Sequence, residues 1–197
     1  MSKNILSKSF DAGIKFEDFL KKTEDYVENT VVDSLSEDDK YLFNYTKLNL
    51  QRMNRVLKTH PVEETLATKI KAIKEKQYWM LITENWCGDS AQSSPEFYKM
   101  SQLNPNIDLR VVERDTFPEV MDVYLTNGKR SIPIVVAFDE NWNQRWKWGA
   151  RPKVLQDQID EWTAQNMPKD EWIEKIHLWY GRNKGKEVFA EMNLLPL

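Results

Sequence analysis

Residues 78–90 read YWMLITENWCGDS, an apolar run that leads into a cysteine motif. The run from Tyr78 to Thr83 has the composition of a strand, is too short for a helix and is apolar on both faces. Such a run favours a central strand that other elements cover on each side. Helical spacing resumes at about Ser90, so Cys87 is predicted to lie between the end of a buried strand and the start of a helix.

Composition limits the class of protein. The chain has 197 residues, 41% of them hydrophobic, which is enough for one ordinary domain with a core. A single cysteine excludes an intrachain disulfide, and with only His60 and His177 beside it we expect no metal site and no cofactor. The formal net charge of −3 provides no broad basic field for nucleic acid. Without a long apolar run or a signal-peptide core, we expect a cytoplasmic protein with no membrane partner.

The remaining hydrophobic pattern predicts an α/β protein. Residues 14–76 have helical spacing, and Ser36 has the features of a helix cap. Residues 1–13 show no periodicity and are expected to be loosely held. Further strands are predicted at 107–112 and 132–138, the last followed by a short turn and an antiparallel partner. Because helices separate the first three strands, these strands are candidates for parallel pairing in a mixed sheet.

The predicted position of Cys87 has a chemical consequence. A helix N-terminus offers unpaired N–H groups and the positive end of the helix dipole, and both favour a thiolate over a thiol. Thiols placed in this way have pKa values lowered from about 8.5 to between ~3.5 and ~7.5. By position alone, however, a single cysteine is more often a small buried hydrophobic residue.

The motif and its spacing resemble the thioredoxin family. Trp86-Cys-Gly-Asp-Ser90 follows an apolar strand, Pro95 lies within the next helix, and Ser131-Ile-Pro133 opens a later strand. The resemblance covers about half of the chain and implies a thioredoxin-like fold, with a four-stranded mixed sheet flanked by helices. The domain organisation it predicts is an N-terminal helical extension at 1–61, a thioredoxin-like domain at 62–166 and a C-terminal helical tail at 167–197 that packs on the same domain.

The resemblance also implies roles for individual residues. Cys87 matches the nucleophilic cysteine, and we expect Ser90 to be catalytic with it by donating a hydrogen bond to the thiolate. Ile132-Pro133 matches a pair joined by a cis peptide bond that faces the thiol, and Gly149 falls near a glycine that lines the same groove. The residues expected to bind substrate are Trp86, Gly88, Asp89, Ile132 and Pro133.

Two departures from the family concern the release of a mixed disulfide. Release needs a second thiolate, and the Ser90 hydroxyl at the place of the resolving cysteine has far too high a pKa to attack sulfur. Leu81 stands where the family often has a buried acid. Because both parts of the resolving step are missing, the sequence does not favour a dithiol cycle. Asp89 is expected to raise the pKa of Cys87 if it points inward and to have little effect if it points to water.

Three functions fit these residues. In the first, Cys87 attacks a disulfide or an oxidised thiol and forms a mixed disulfide with a protein or a low-molecular-weight thiol, which an external thiol then releases. In the second, the chain is a non-catalytic peptide- or protein-binding module on the same fold. In the third, the thiol ligates a metal cluster between two subunits, as similar one-cysteine relatives in the glutaredoxin branch can do; this function ranks last, because glutathione-site motifs are lacking.

Replacement of Ser90 by cysteine tests the placement of the motif. A helix start holds positions three apart within disulfide reach, so Ser90→Cys is expected to form an intramolecular disulfide with Cys87 under mild oxidant. Mass spectrometry before and after reduction measures it, with the single-thiol wild type as control. A variant that keeps both thiols free after oxidation would contradict the predicted placement of the two residues.

Overall fold

Helices precede, separate and follow the strands in the computed structural model, which describes residues 3–197. The helices are α1 (Lys3–Ala12), α2 (Phe16–Asn29), α3 (Glu37–Thr59), α4 (Glu64–Lys71), α5 (Gly88–Ser101), α6 (Pro118–Met121), α7 (Lys153–Ala164), α8 (Lys169–Asn183) and α9 (Lys186–Leu194). The strands are β1 (Gln77–Thr83), β2 (Ile107–Glu113), β3 (Ile134–Phe138) and β4 (Gln144–Gly149). The helices predicted within residues 14–76 are confirmed as α2, α3 and α4.

The strands form one mixed sheet in the order β2-β1-β3-β4. β1 pairs in parallel with β2, from Gln77 opposite Ile107 to Thr83 opposite Glu113. β3 and β4 form an antiparallel hairpin, as predicted, and β1 lies in the interior of the sheet. Because helices cover both faces, the predicted α/β class with a mixed four-stranded sheet is confirmed.

The direction of β3 differs from the prediction of parallel pairing. β3 runs antiparallel to β1, with Ile82 opposite Ile134. If β3 ran parallel to β1, the segment between β2 and β3 would have to return along the full length of a strand. That length is roughly 17–23 Å for a strand of five to seven residues. The connection from β2 is built instead on α6, whose four residues span about 6 Å. β3 therefore begins at the edge where β1 ends, which is the edge that carries Cys87.

The two faces of β1 contribute to different parts of the core. Trp79 and Leu81 belong to a buried cluster with residues of α2, α3, α4, α5 and α9. Met80 and Ile82 belong to a second cluster, in which α1 and α6 cover the opposite face. Alternate residues of a strand point to opposite faces. Because both faces of β1 are covered, the run at 78–83 is apolar throughout.

The N-terminal residues are more ordered than expected. Residues 3–12 form α1, in which Leu6 and Phe10 are buried one turn apart. The Phe10 ring makes an edge contact with Tyr78 of β1. A pair of apolar residues is a weak sequence pattern, and the helix is stabilised because the sheet buries both side chains. The expectation of a loosely held segment is wrong for residues 3–12, while residues 1–2 lie outside the described residues.

The long helix α3 brings the N-terminal part of the chain alongside α5. Ser36 caps its start as predicted, since its Oγ accepts a hydrogen bond of 3.1 Å from the backbone N–H of Asp39. At the other end, His60 Nδ1 lies 2.6 Å from Glu96 Oε1 of α5, and both side chains are buried. This buried hydrogen bond fixes α3 against the helix whose N-terminus carries Cys87.

Gly149, at the end of β4, is a position where only glycine fits. Its φ is +128°, and a Cβ there would lie 2.2 Å from the carbonyl oxygen of Pro133. We expect Gly149→Ala to lower the free energy of unfolding by about 2–4 kcal/mol in urea denaturation. Gly181→Ala in α8 is the matched control, because its Cβ would meet no atom within 4 Å and alanine is the better helix former. An unchanged midpoint for Gly149→Ala would show that Pro133 and Gly149 are not in close contact.

Candidate functional site

Cys87 lies one residue before α5, at the edge of the sheet where β1 ends. It is the N-cap of the helix, and its carbonyl oxygen accepts the first helical hydrogen bond from Ala91 N at 3.0 Å. The residue as a whole is half-buried, and it packs against the core cluster that contains Met80 and Ile82. The predicted position, between a buried strand and a helix start, is confirmed.

The loop before β3 faces the thiol. Because β3 pairs with β1, its first residues lie beside the end of β1. Cys87 Sγ lies 3.4 Å from the carbonyl oxygen of Ile132, to which the thiol donates a hydrogen bond. The Ile132–Pro133 peptide bond is cis, as the sequence predicts. The structure thus brings the cysteine motif and the Ile-Pro pair into direct contact.

The surroundings of Cys87 shift its pKa in opposite directions. Burial raises the pKa above its ordinary value, and the negative charge of Asp89 raises it further. The nearby Ser90 hydroxyl and the backbone N–H groups of Ser90 and Asp89 lower it. The raising effects prevail, so the group is a thiol at neutral pH. The lowering expected from the helix start is present, but it is smaller than the cost of burial.

Asp89 points into the protein, which is the first of the two orientations considered above. Its Oδ2 accepts a hydrogen bond of 2.6 Å from Arg151 Nη2, and its Oδ1 accepts one of 2.7 Å from the Tyr180 hydroxyl. The Asp89 side chain is 11% exposed, so this ion pair is largely shielded from water. Burial raises the pKa of Tyr180 well above its ordinary value, which keeps the phenol protonated as a donor.

Ser90 lies in the first turn of α5 and is buried. Its Oγ has no hydrogen-bond partner of good geometry within residues 3–197 while Cys87 is a thiol. The hydroxyl is therefore free to donate to the sulfur, and this proximity lowers the pKa of Cys87. Leu81, at the place of the family's buried acid, is fully buried in the core.

Trp86 and Glu84 form the side of the site next to β2. The Arg114 guanidinium lies over the Trp86 ring, 4.6 Å from its centroid. Glu84 is buried and its Oε1 accepts a hydrogen bond of 2.8 Å from the backbone N–H of Asp115. Burial raises the pKa of Glu84, and the hydrogen bond from Asp115 only partly offsets this effect.

Gly88 lies beside a pocket between α3 and α8. A Cβ on Gly88 would lie 3.2 Å from His177 Cε1 of α8 and 3.7 Å from Arg52 Nη1 of α3. The pocket has a volume of about 180 Å³, and Tyr45 and Trp172 also line it. A larger open groove of about 510 Å³ lies along α7 and α8, but its lining contains no residue of the cysteine motif. The smaller pocket is therefore the one that bears on the chemistry of Cys87.

Comparison with known families agrees with this geometry. A family model described as thioredoxin matches residues 36–163, more than half of the chain. The chain belongs to this family. The match includes the strands, the cysteine motif and the Ile-Pro pair, and with the mixed sheet it confirms the thioredoxin-like fold.

Two solved structures resemble this thioredoxin-family chain over most of its length. One is the crystal structure of an HIV epitope scaffold, with 17% identity and a TM-score of 0.57, covering 94% of this chain and 93% of that chain. The other is a protein of unknown function from Pseudomonas aeruginosa, with 18% identity and a TM-score of 0.52, covering 91% of this chain and 97% of that chain. At these identities the likeness shows the fold alone. No curated protein matches the chain.

Sequence reasoning missed three residues of this thioredoxin-family site. Arg151 follows Gly149 by two positions, and that closeness to the groove glycine was a usable indication of its role. Tyr180 and His177 lie on α8, beyond the matched residues 36–163, and no local pattern connects that helix to the cysteine motif. Their positions follow from tertiary packing.

Neither a metal-ligand cluster nor a membrane-spanning helix is present in the described part of the chain. Among residues 3–197, no group of three His, Cys, Asp or Glu side chains is placed to hold a metal ion. His60 is bonded to Glu96, and His177 lies near Gly88. Across that range, too, no helix combines the length and the apolar character needed to cross a membrane.

The charge of Asp89 should control the reactivity of Cys87. Because the pKa of Cys87 is raised, the alkylation rate of the wild type should rise about tenfold per pH unit from pH 7 and still increase above pH 9. Asp89→Asn removes the negative charge and leaves Arg151 unpaired, so we expect a lower pKa and alkylation several-fold faster at pH 7.5. Asp108→Asn, which removes an ion-paired carboxylate at the other end of β2, is the control. Equal rates for wild type and Asp89→Asn would exclude this electrostatic effect.

Proposed function

We propose that this thioredoxin-family protein carries out monothiol thiol–disulfide exchange through Cys87. The observation that carries the proposal is the thiol of a half-buried cysteine at a helix start, 3.4 Å from the carbonyl oxygen of Ile132, with the free hydroxyl of Ser90 as its neighbour. The thiol supplies the nucleophile, the Ser90 hydroxyl supplies its stabilisation, and the Ile132 carbonyl oxygen beside the sulfur supplies a guide for the substrate.

The exchange takes place in two steps. The Cys87 thiolate attacks one sulfur of a disulfide, a new S–S bond forms, and the other sulfur leaves as a thiolate with the electron pair of the broken bond. The hydroxyl of Ser90 donates to the Cys87 thiolate before the attack. An external thiol then attacks the mixed disulfide and restores Cys87, because the chain has no second cysteine to do so.

The raised pKa of Cys87 determines the pace of both steps. A smaller fraction of thiolate at neutral pH slows the first attack, although each thiolate of higher pKa is the stronger nucleophile. A thiol of high pKa is also a poor leaving group, so the mixed disulfide is released slowly. The proposed activity is therefore slow exchange with a long-lived adduct.

The neighbours of Cys87 take binding roles in this proposal. The Trp86 ring offers an apolar face beside the thiol, and Gly88 leaves space for a bound group where a side chain would intrude. The hydrogen bond from Arg151 fixes the position of Asp89, and the two side chains together shape the surface next to the sulfur. Ile132 and Pro133 present backbone to the substrate on the opposite side.

A neutral aromatic disulfide tests the first step. With dithiodipyridine, the wild type should gain one thiopyridyl group by intact mass and release one equivalent of thiopyridone, and Cys87→Ser should do neither. Ser90→Ala should slow the reaction, since a hydrogen bond to a charged group contributes at most about 1.5–3 kcal/mol. The wild type should be a poor catalyst of insulin reduction with a thioredoxin reductase. Efficient turnover would mean that a resolving group other than cysteine exists.

The second candidate is a non-catalytic peptide- or protein-binding module. The raised pKa of Cys87 favours it, because a thiol that stays protonated is a weak nucleophile. The dithiodipyridine reaction separates the two candidates. Absence of any adduct on native protein, together with normal modification of the unfolded chain, would replace exchange by binding.

A further inference from the structure

The pocket between α3 and α8 opens beside the reactive thiol. Gly88 and Asp89, the two residues that follow Cys87, form one side of it, and Tyr45 and His177 line the flanking helices. Cys87 directly precedes Gly88 in the chain, so the pocket lies against the segment that carries the thiol. The volume of about 180 Å³ corresponds to about six water molecules at ~30 Å³ each, which suits the arm of a small molecule.

Arg52 of α3 carries a positive charge close to Gly88, one of the residues that line this pocket. Its Nη1 would lie 3.7 Å from a Cβ on Gly88, and it donates a hydrogen bond of 2.8 Å to Asn49 Oδ1. Asn49 in turn donates to the carbonyl oxygen of Asn85, so the guanidinium is held in place relative to the cysteine motif. The side chain is partly buried, which makes its unpaired charge costly.

Of the other arginines around the site, Arg55 donates a hydrogen bond of 2.8 Å to the amide oxygen of Gln92, and the remaining three have carboxylate partners. Arg114 pairs with Asp115, Arg130 with Asp122, and Arg151 with Asp89. Arg52 forms no ion pair with any of residues 3–197. One more carboxylate, that of Asp170, raises the pKa of Tyr45 on the same helix as Arg52, but Asp170 is exposed. An anion is therefore the missing partner of Arg52.

His177 adds a second unused polar group on the same side. Its Nδ1 is buried and has no hydrogen-bond partner within residues 3–197. Burial and the nearby charge of Arg52 lower its pKa to about 4, so the ring is neutral at physiological pH. A neutral imidazole adds no second positive charge beside Arg52, and its Nδ1 is an unpaired polar atom on a residue that lines the pocket.

We propose that the disulfide exchanged by Cys87 is a small molecule that carries a carboxylate or similar anion, and that Arg52 binds this anion. The proposal rests on the thiol exchange proposed above and names its substrate class. Binding places one sulfur of the disulfide at Cys87; the Cys87–sulfur bond forms and the second half leaves as a thiolate. A charge-assisted hydrogen bond from the guanidinium, with His177 beside it, holds the retained half in the pocket.

Three disulfides of similar size and different charge test the proposal. Bis(carboxyethyl) disulfide is anionic, bis(hydroxyethyl) disulfide is neutral and cystamine is cationic. Rates of mixed-disulfide formation are measured by intact mass. Each is divided by the rate of the same disulfide with N-acetylcysteine amide, an uncharged thiol, which removes intrinsic differences in reactivity. We expect the wild type to prefer the anionic over the neutral disulfide by at least about threefold, and the cationic disulfide to react slowest.

Variants on α3 assign this preference to one side chain. Arg52→Gln should remove most of the preference for the anionic disulfide, and Arg52→Lys should retain part of it. The matched control is Lys47→Gln, which should leave the preference unchanged, because Lys47 is an exposed cation of the same helix. If Arg52→Gln fails to fold, Arg52→Lys and the effect of about 0.5 M salt on the wild type decide the matter, because salt should reduce the preference.

The outcomes distinguish failure of the substrate class from failure of the exchange itself. Equal normalised rates for the three disulfides, or an unchanged preference in Arg52→Gln, would overturn the anion site while thiol exchange stands. Absence of an adduct with any disulfide would overturn both. A preference that is lost in Arg52→Gln and kept in Lys47→Gln supports the proposal.

Discussion

The ion pair between Asp89 and Arg151, with the hydrogen bond from Tyr180, holds the site together. These bonds join the first turn of α5 to the segment after β4 and to α8, which lie far apart in the sequence. Because both charges are largely removed from water, the pair is stabilising only while it is complete. The inward orientation of Asp89 also places negative charge near Cys87. Asp89 and Arg151 both line the adjacent pocket. One contact therefore affects both the protonation of the thiol and the shape of its surroundings.

The protonation of Cys87 shows that a helix start does not by itself determine the pKa of a thiol. The N–H groups of Ser90 and Asp89 and the Ser90 hydroxyl act in the direction expected for a helix N-terminus. Burial against the Ile132 loop removes water that would solvate a thiolate, and Asp89 adds repulsion. In the exchange proposed above, the small fraction of thiolate limits the reaction, and a higher pH increases that fraction. Slow attack and slow release both follow from this environment, which suits the absence of an internal resolving thiol.

Local patterns in the sequence predicted the parts of the fold that depend on neighbouring residues. The apolar run at 78–83, the Ser36 cap and the β3–β4 hairpin are examples, because periodicity, capping and turn length act over a few residues. The antiparallel direction of β3 and the inward orientation of Asp89 depend on long-range packing. The family resemblance placed Cys87 and Ile132 in contact, but α8 lies beyond the family match and its residues at the site, Tyr180 and His177, could not be found in that way.

The position of α8 affects which molecules can approach the Cys87 thiol. Its residues Trp172 and His177 stand beside Gly88 on one side of the motif, while the Ile132–Pro133 loop occupies the other. A stable contact with a folded protein needs roughly 800 Å² of surface from each partner, which requires an open face around the reacting atom. A pocket of about 180 Å³ next to the thiol of a half-buried cysteine instead favours a narrow substrate that enters end-on. In the exchange proposed above, the helix outside the family match therefore favours small substrates over folded proteins.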